Sequence, residues 1–220
     1  MKVPQVMLIN GILIEPILNC CYDVFLKMLL NQIHHGIIEC GTDEAGRGCL
    51  CGPVTAAAVI LPLDFKSALL NDSKKLSRKR RYELRTLIEE QALDYHVSHV
   101  MMEKIDEINI LQASILAMHQ AIDGLTIRPE HIAVDGNKFH PYGEIPATTV
   151  IKGDGMYLHI AAASVLAKTY RDDFMARIAQ EHPEYSWEKN QGYPTKKHRD
   201  AIRKHGTTPY HRMTFKLLSD

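Results

Sequence analysis

Five short stretches of the chain are rich in apolar residues, or alternate between apolar and polar residues, and each predicts a strand. The predicted strands cover residues 37–38, 54–61, 95–100, 132–134 and 148–151. The second is a run dominated by Ala, Val and Ile that ends at Pro62, whereas the third alternates Tyr95 and Val97 with polar residues. All five are bounded by turn-forming or charged residues, as strands of a globular domain usually are.

Three longer segments carry apolar residues at helical spacing, and we predict helices over 77–92, 109–124 and from about 160 onward. Ser77 is expected to cap the first helix, and Asn109 and Gly124 to open and close the second. Strands followed by alternating strands and helices predict an α/β domain with a mixed sheet. The chain after Pro183 is predicted to form short helices and loops.

The length and composition are those of a globular protein with one domain and a small appendage. The chain has 220 residues, of which 45% are hydrophobic and 24% charged, and its 26 basic residues balance 26 acidic ones. Basic residues are concentrated in two places, residues 74–81 and residues 186–220. Two basic segments around an acidic centre fit a site for phosphates beside metal ions, although a solvated helix face would look similar.

The first 27 residues are apolar but interrupted by Pro, Asn, Glu and Asp, and no unbroken run reaches the roughly 20 residues of a membrane span. We therefore predict a native start at Met28, with residues 1–27 as an extension and residues 28–220 as the domain. An amphipathic appendage is the alternative. The five cysteines lack zinc-ligand spacing and indicate reduced thiols in a cytoplasmic protein.

Three predicted strands end in acids that are closely followed by glycine: Asp43 and Glu44, then Asp135, then Asp154. Ligand sites of open α/β sheets lie at strand ends, so these carboxylates are predicted to converge. Four carboxylates repel one another unless cations lie between them, and oxygen ligands favour Mg²⁺ or Mn²⁺. An ordinary turn at Asp135 and a helix cap at Asp154 are the alternatives.

Arg47 lies between Gly46 and Gly48, directly after the first acidic pair. A guanidinium beside bare backbone amides suits a phosphate or a sugar. The glycines also allow the chain to bend, so that two neighbouring carboxylates can serve one site.

Several segments occur in the order found in ribonuclease HII, the prokaryotic type 2 ribonuclease H, and the chain resembles that family over about residues 36–218. The matching segments are Asp-Glu-Ala-Gly-Arg-Gly at 43–48, Asn-Asp-Ser-Lys-Lys-Leu-Ser at 71–77, Val-Asp-Gly-Asn at 134–137, Lys-Gly-Asp at 152–154 and Gly-Tyr-Pro-Thr at 192–195. Further matches lie at 107–111, 161–172 and 211–212.

The resemblance implies a ribonuclease H-like mixed five-stranded sheet flanked by helices, with a helical C-terminal part. It implies endonucleolytic cleavage of the RNA strand of RNA–DNA hybrids and incision 5′ of a ribonucleotide embedded in duplex DNA. Such an enzyme would serve ribonucleotide removal and RNA primer removal. A monomer with a two-metal Mg²⁺ or Mn²⁺ site and no membrane association is expected.

The resemblance also implies roles for individual residues. Asp43, Glu44, Asp135 and Asp154 match the catalytic, metal-binding acids. Gly46, Arg47 and Gly48 match the turn that reads the ribose 2′-hydroxyl, and Tyr193 matches the tyrosine that stacks on the following deoxyribose. Contacts to backbone phosphates are expected from Ser73, Lys74 and Arg212, with His211 as a phosphate neighbour.

Two other classes of function are considered. Another metal-dependent nuclease or strand transferase with the same fold would share the acids but would not need the glycine turn and Tyr193. A non-catalytic hybrid-binding protein would be expected to lack at least one acid, whereas all four are present.

Overall fold

A computed structural model describes residues 8–9, 12–13, 29–67, 69–70 and 76–218 of the chain. Its main sheet has five strands: β3 (Glu39–Ala45), β4 (Val54–Ile60), β5 (Asp94–Val100), β6 (His131–Asp135) and β7 (Ala147–Val150). Two short strands, β1 (Leu8–Ile9) and β2 (Ile12–Leu13), form a separate antiparallel pair. Most of the predicted 1–27 extension lies outside the described residues, so its boundary stays a prediction.

The strand order of the main sheet is β5-β4-β3-β6-β7. β3 pairs antiparallel with β4, and β4 antiparallel with β5, whereas β3–β6 and β6–β7 are parallel. β3 therefore lies at the centre, between an antiparallel half and a parallel half of the sheet. This confirms the predicted mixed five-stranded sheet.

The first strand begins at Glu39 and not at the predicted residue 37. Ile38 is exposed, and its backbone N–H donates to the carboxylate of Glu130 instead of joining the ladder with β4. Two β-branched residues are therefore not sufficient to start a strand, because the neighbouring chain must also supply hydrogen-bond partners.

Five α-helices accompany the sheet: α1 (Arg78–Gln91), α2 (Met102–Asp123), α3 (Leu158–Glu181), α4 (Trp187–Asn190) and α5 (Lys196–His205). The predicted cap of α1 is confirmed, since the Ser77 hydroxyl accepts a hydrogen bond from the Arg80 N–H at 3.2 Å. α2 begins seven residues before the predicted Asn109. Asn109 has φ 66° and ψ 164°, and its side chain accepts from the N–H groups of Leu111 and Gln112. It thus caps a second helical segment after a kink.

Helices cover both faces of the sheet. α1 and α3 pack against one face, with Ala57, Val59, Leu84 and Leu166 among the buried residues of that cluster. α2 packs against the opposite face. The C-terminal part forms a third buried cluster, which includes Trp187.

Gly41 allows α3 to lie directly on β3. A Cβ atom at this position would overlap the backbone of His159, in the first turn of α3. This close approach brings the polar residues farther along α3 next to the end of β3. Among the described residues, no helix combines the length and apolar character needed to cross a bilayer.

Candidate active site

Three of the four acids predicted from the sequence lie at the ends of β3 and β6, two neighbouring parallel strands. Thr42 of β3 is paired with Val134 of β6, so Asp43 and Asp135 are the next residues of two neighbouring strands that run in the same direction. Both line one cleft, together with Glu44. Three of the four predicted acids therefore meet at one point of the sheet edge.

The electrostatic environment of Asp43 is unfavourable for an isolated carboxylate. Asp43 is only 4% exposed. Burial, together with the negative charges of Glu44 and Asp135, raises the pKa of Asp43 to about 7, despite the opposing effects of Lys168 and a hydrogen bond with Ser164. A divalent cation between the carboxylates would remove this repulsion, so the oxygen-rich donor set fits Mg²⁺ or Mn²⁺.

Glu44 is held by the arginine of the glycine turn. Nη1 of Arg47 lies 3.2 Å from Oε1 of Glu44, in an ion pair whose arginine side chain is half exposed. Burial raises the pKa of Glu44, whereas the charge and hydrogen bond of Arg47 lower it and the charge of Asp135 raises it further. Arg47 can therefore stabilise the ionised Glu44 while its other donors face the cleft.

Asp154 meets the other acids through its backbone. It lies in a 3-10 turn, Gly153–Gly155, that follows β7. Oδ1 of Asp135 accepts hydrogen bonds from the backbone N–H of Gly153 at 2.7 Å and from that of Asp154 at 3.4 Å. The side chain of Asp154 is buried, at 3% exposure, and does not line the cleft. The turn thus fixes the orientation of Asp135.

Gly46 and Gly48 have different surroundings: Gly46 packs against another side chain, whereas Gly48 faces open space. Gly46 has φ +95°, and a Cβ atom there would overlap Nε of Arg171. The guanidinium of Arg171 donates to the backbone carbonyls of Cys51, Pro53 and Gln191, so it holds this loop from behind. A Cβ at Gly48 would meet no protein atom within 4 Å, and this side of the turn is open to a ligand.

Arg212 lies behind the glycine turn. Its side chain is fully buried, and its guanidinium donates to the carbonyls of Gly52 and Arg47 at 2.8–3.1 Å. Burial and the charge of Arg171 lower the pKa of Arg212 to about 10. His211 is also buried, with its pKa lowered to about 4 chiefly by burial. Neither side chain lies at the cleft surface where a phosphate would be contacted.

The cleft has a volume of about 690 Å³ and a mixed-charge wall. Its basic side chains are Arg47, Arg78, Arg81, Lys168, Arg171 and Lys189, and its acidic ones are Asp43, Glu44, Asp135, Asp172 and Glu188. Tyr193 also lines the cleft and is 51% exposed. An anionic polymer could therefore lie across the acids with basic groups on either side. Ser73 and Lys74 lie outside the described residues, and their expected phosphate contacts stay predictions.

Ser164 and Lys168 of α3 were not among the predicted site residues. Nζ of Lys168 donates to the Ser164 hydroxyl at 2.8 Å, and both act on Asp43. Their spacing of four residues, continued by Asp172, places them on one face of the helix. This spacing is a signal that the sequence contains, but it acquires meaning only when that face is known to meet the end of β3.

Comparisons with known proteins agree with this geometry. The family model described as Ribonuclease HII matches residues 40–218. A curated ribonuclease HII from Bacteroides thetaiotaomicron is 65% identical over 193 residues, which cover 88% of this chain and 96% of the relative. A ribonuclease HII from Phocaeicola vulgatus is 63% identical, over 87% of this chain and 95% of that one. The solved PCNA:RNase HII complex from Archaeoglobus fulgidus aligns with a TM-score of 0.70 at 26% identity, covering 84% of this chain and 98% of the other.

Proposed function

The chain belongs to the ribonuclease HII family and is a ribonuclease H, and from that premise we propose that it cuts the RNA strand of RNA–DNA hybrids and incises 5′ of single ribonucleotides in duplex DNA. The observation that carries the proposal is the meeting of Asp43, Glu44 and Asp135 in a cleft whose walls also carry basic side chains. Incision would leave a 3′-hydroxyl and a 5′-phosphate. The roles would be ribonucleotide removal and RNA primer removal.

The metal-binding residues of the proposal are Asp43, Glu44, Asp135 and Asp154. When bound, two Mg²⁺ or Mn²⁺ ions would activate a water for attack on the phosphorus and stabilise the departing 3′ oxygen. Asp43, Glu44 and Asp135 supply negative charge directly at the cleft. The Gly153–Gly155 turn holds Asp135 in place through two backbone N–H groups. Lys168 and Ser164 limit the repulsion that Asp43 would otherwise experience.

Recognition of the ribose is assigned to the turn formed by Gly46, Arg47 and Gly48. A 2′-hydroxyl is donor and acceptor at once, and it is the only feature that distinguishes RNA from DNA at a single sugar. The open side of Gly48 supports a close approach of the sugar to the backbone. Because Arg212 donates to the carbonyls of Arg47 and Gly52, we propose that it acts on the nucleic acid by keeping this turn in shape.

Tyr193 is proposed to sense the sugar on the 3′ side of the cut. Its half-exposed ring lines the same cleft as the glycine turn. A ring packed on that sugar would disfavour an added hydroxyl, which selects a deoxyribose after the ribonucleotide. Arg78, Arg81 and Lys189 would hold the backbone phosphates on the cleft walls, with Ser73 and Lys74 in the neighbouring loop.

We further propose that the protein acts as a monomer in the cytoplasm. Cys40, Cys49 and Cys51 are buried thiols, which is typical of a reducing compartment.

Cleavage of matched duplexes tests the proposal. Three substrates of one sequence would be compared: an RNA–DNA hybrid, a DNA duplex with one ribonucleotide, and an all-DNA duplex. We expect the first two to be cut in the presence of Mg²⁺ or Mn²⁺, with cleavage 5′ of the single ribonucleotide and no cleavage by Asp43→Asn. Equal cleavage of the all-DNA duplex would contradict the proposal and would favour a different metal-dependent nuclease.

A further inference from the structure

A second cluster of metal-ligand side chains lies at the opposite end of β3. His34, Glu39 and His131 each offer one ligand atom, and these atoms all lie within 4.8 Å of one another. Glu39 is the first residue of β3 and is paired with His131, the first residue of β6. Asp43 lies four positions after Glu39, so the cluster lies roughly 13 Å along the strand from the acids of the cleft.

The carboxylate of Glu39 is oriented through both of its oxygens. Its Oε1 accepts hydrogen bonds from Nε2 of His159 at 2.7 Å and from the backbone N–H of Ile33 at 2.6 Å. Nδ1 of His159 accepts from the N–H of Ile160, which leaves Nε2 to donate to Glu39. Oε2 of Glu39 accepts from the backbone N–H of His34 at 3.3 Å and faces His131.

His131 is oriented in a complementary way. Its Nε2 lies 2.9 Å from the hydroxyl of Thr148 on β7, which positions the ring so that Nδ1 faces Glu39. Nδ1 of His131 lies 2.8 Å from Oε2 of Glu39, and both atoms belong to buried side chains. Metal ligands bind in their deprotonated form, so a cation would take the place of a proton shared by this pair.

We propose that Glu39, His131 and His34 bind a zinc-type divalent cation that fixes the segment 31–38 to the base of the sheet. Two imidazoles and one carboxylate are a donor set suited to Zn²⁺ and related first-row metals and less suited to Mg²⁺. Glu39 and His131 are buried, whereas His34 is exposed, which leaves one side open for ion entry and for a water as fourth ligand. His159 and Thr148 are positioning residues that act through the ligands.

Metal titration of the full chain, made without a histidine tag, tests the proposal. Excess Mg²⁺ would occupy the catalytic carboxylates, and Co²⁺ would serve as a spectroscopic substitute for Zn²⁺. His34→Ala is the diagnostic variant because the side chain is exposed and its loss does not threaten the fold. His35→Ala is the matched control, since it removes the neighbouring exposed histidine.

We expect wild type and His35→Ala to bind one equivalent of Zn²⁺, with visible Co²⁺ absorption of a four-coordinate site and an increased melting temperature. His34→Ala should bind at least about tenfold more weakly, and the isosteric Glu39→Gln should lose binding as well. RNA–DNA cleavage with Mg²⁺ should be the same for His34→Ala as for wild type. Wild-type affinity in His34→Ala, or no Zn²⁺ binding by the wild type, would overturn the proposal.

Discussion

Replacing Asp43 by asparagine is expected to abolish cleavage and, at the same time, to stabilise the metal-free protein. Asn has nearly the same shape as Asp and can retain the hydrogen bond with Ser164, but it cannot carry a charge. The substitution therefore removes a negative charge that lies beside Glu44 and Asp135 in a buried position. Loss of that charge should weaken metal binding and increase the stability of the metal-free protein.

The magnitude follows from the shift of the pKa of Asp43 from 3.8 to about 7. Between these values the folded protein retains a proton that the unfolded chain has lost, so the free energy of unfolding decreases as the pH rises through this window. Above about pH 7 the decrease in the free energy of unfolding is complete, and it amounts to at most about 4 kcal/mol. Below about pH 4 the carboxyl is protonated in both states, and wild type and variant should be equally stable.

Thermal unfolding in EDTA between pH 4 and pH 8 measures this difference. At pH 8 we expect Asp43→Asn to melt several degrees above the wild type, at roughly 2–4 °C per kcal/mol for a chain of this size. Mg²⁺ should stabilise the wild type more than the variant. Asp64→Asn is the control, because Asp64 is exposed and remote from the cleft. A variant that is no more stable at pH 8, or a difference that does not depend on pH, would refute the electrostatic reasoning.

Four further substitutions test other parts of the site and the packing of α3 on β3. Gly46→Ala should destabilise the protein by about 1–3 kcal/mol in urea unfolding, because of the positive φ and the overlap with Arg171. Gly48→Ala should fold normally but cleave the single-ribonucleotide duplex poorly, and normal cleavage would contradict the sugar-reading role. Tyr193→Ala should lower cleavage at the RNA–DNA junction more than binding of the hybrid in a fluorescence anisotropy titration, and equal losses would argue against sugar sensing. Gly41→Ala should lower the free energy of unfolding by about 1–3 kcal/mol, since α3 must move away from β3. An unchanged urea unfolding curve would show that the close contact of α3 with β3 is not required.

Local sequence patterns were sufficient to identify most elements of the fold. The cap at Ser77 and the run in β4 depend on interactions within a few residues, and both were found as predicted. The start of β3 was misplaced because strand ends depend on partners elsewhere, here the carboxylate of Glu130. The first segment of α2 was missed because Asn109 caps a helix that continues another one across a kink.

The acids of the candidate site were predicted because each follows a strand and precedes a glycine, a pattern that is visible in one dimension. The sequence could not show whether the side chain of each acid would line the cleft or be buried beside it. The structure places Asp43 and Asp135 at the cleft, but it buries Asp154, whose backbone N–H donates to the carboxylate of Asp135. The family resemblance predicts a phosphate contact for Arg212, whereas the structure buries its side chain and directs it to the carbonyls of Gly52 and Arg47.

The sequence by itself determined which residue types are present, where most of the strands and helices form, and which short segments match a known family. Those properties depend on neighbouring residues and on the order of motifs. Only the tertiary structure decided that Lys168 acts on Asp43, and that His34, Glu39 and His131 form a group at the other end of the same strand. Charges interact through space over a few ångströms, and residues that are this close in the fold can be more than a hundred positions apart in the chain.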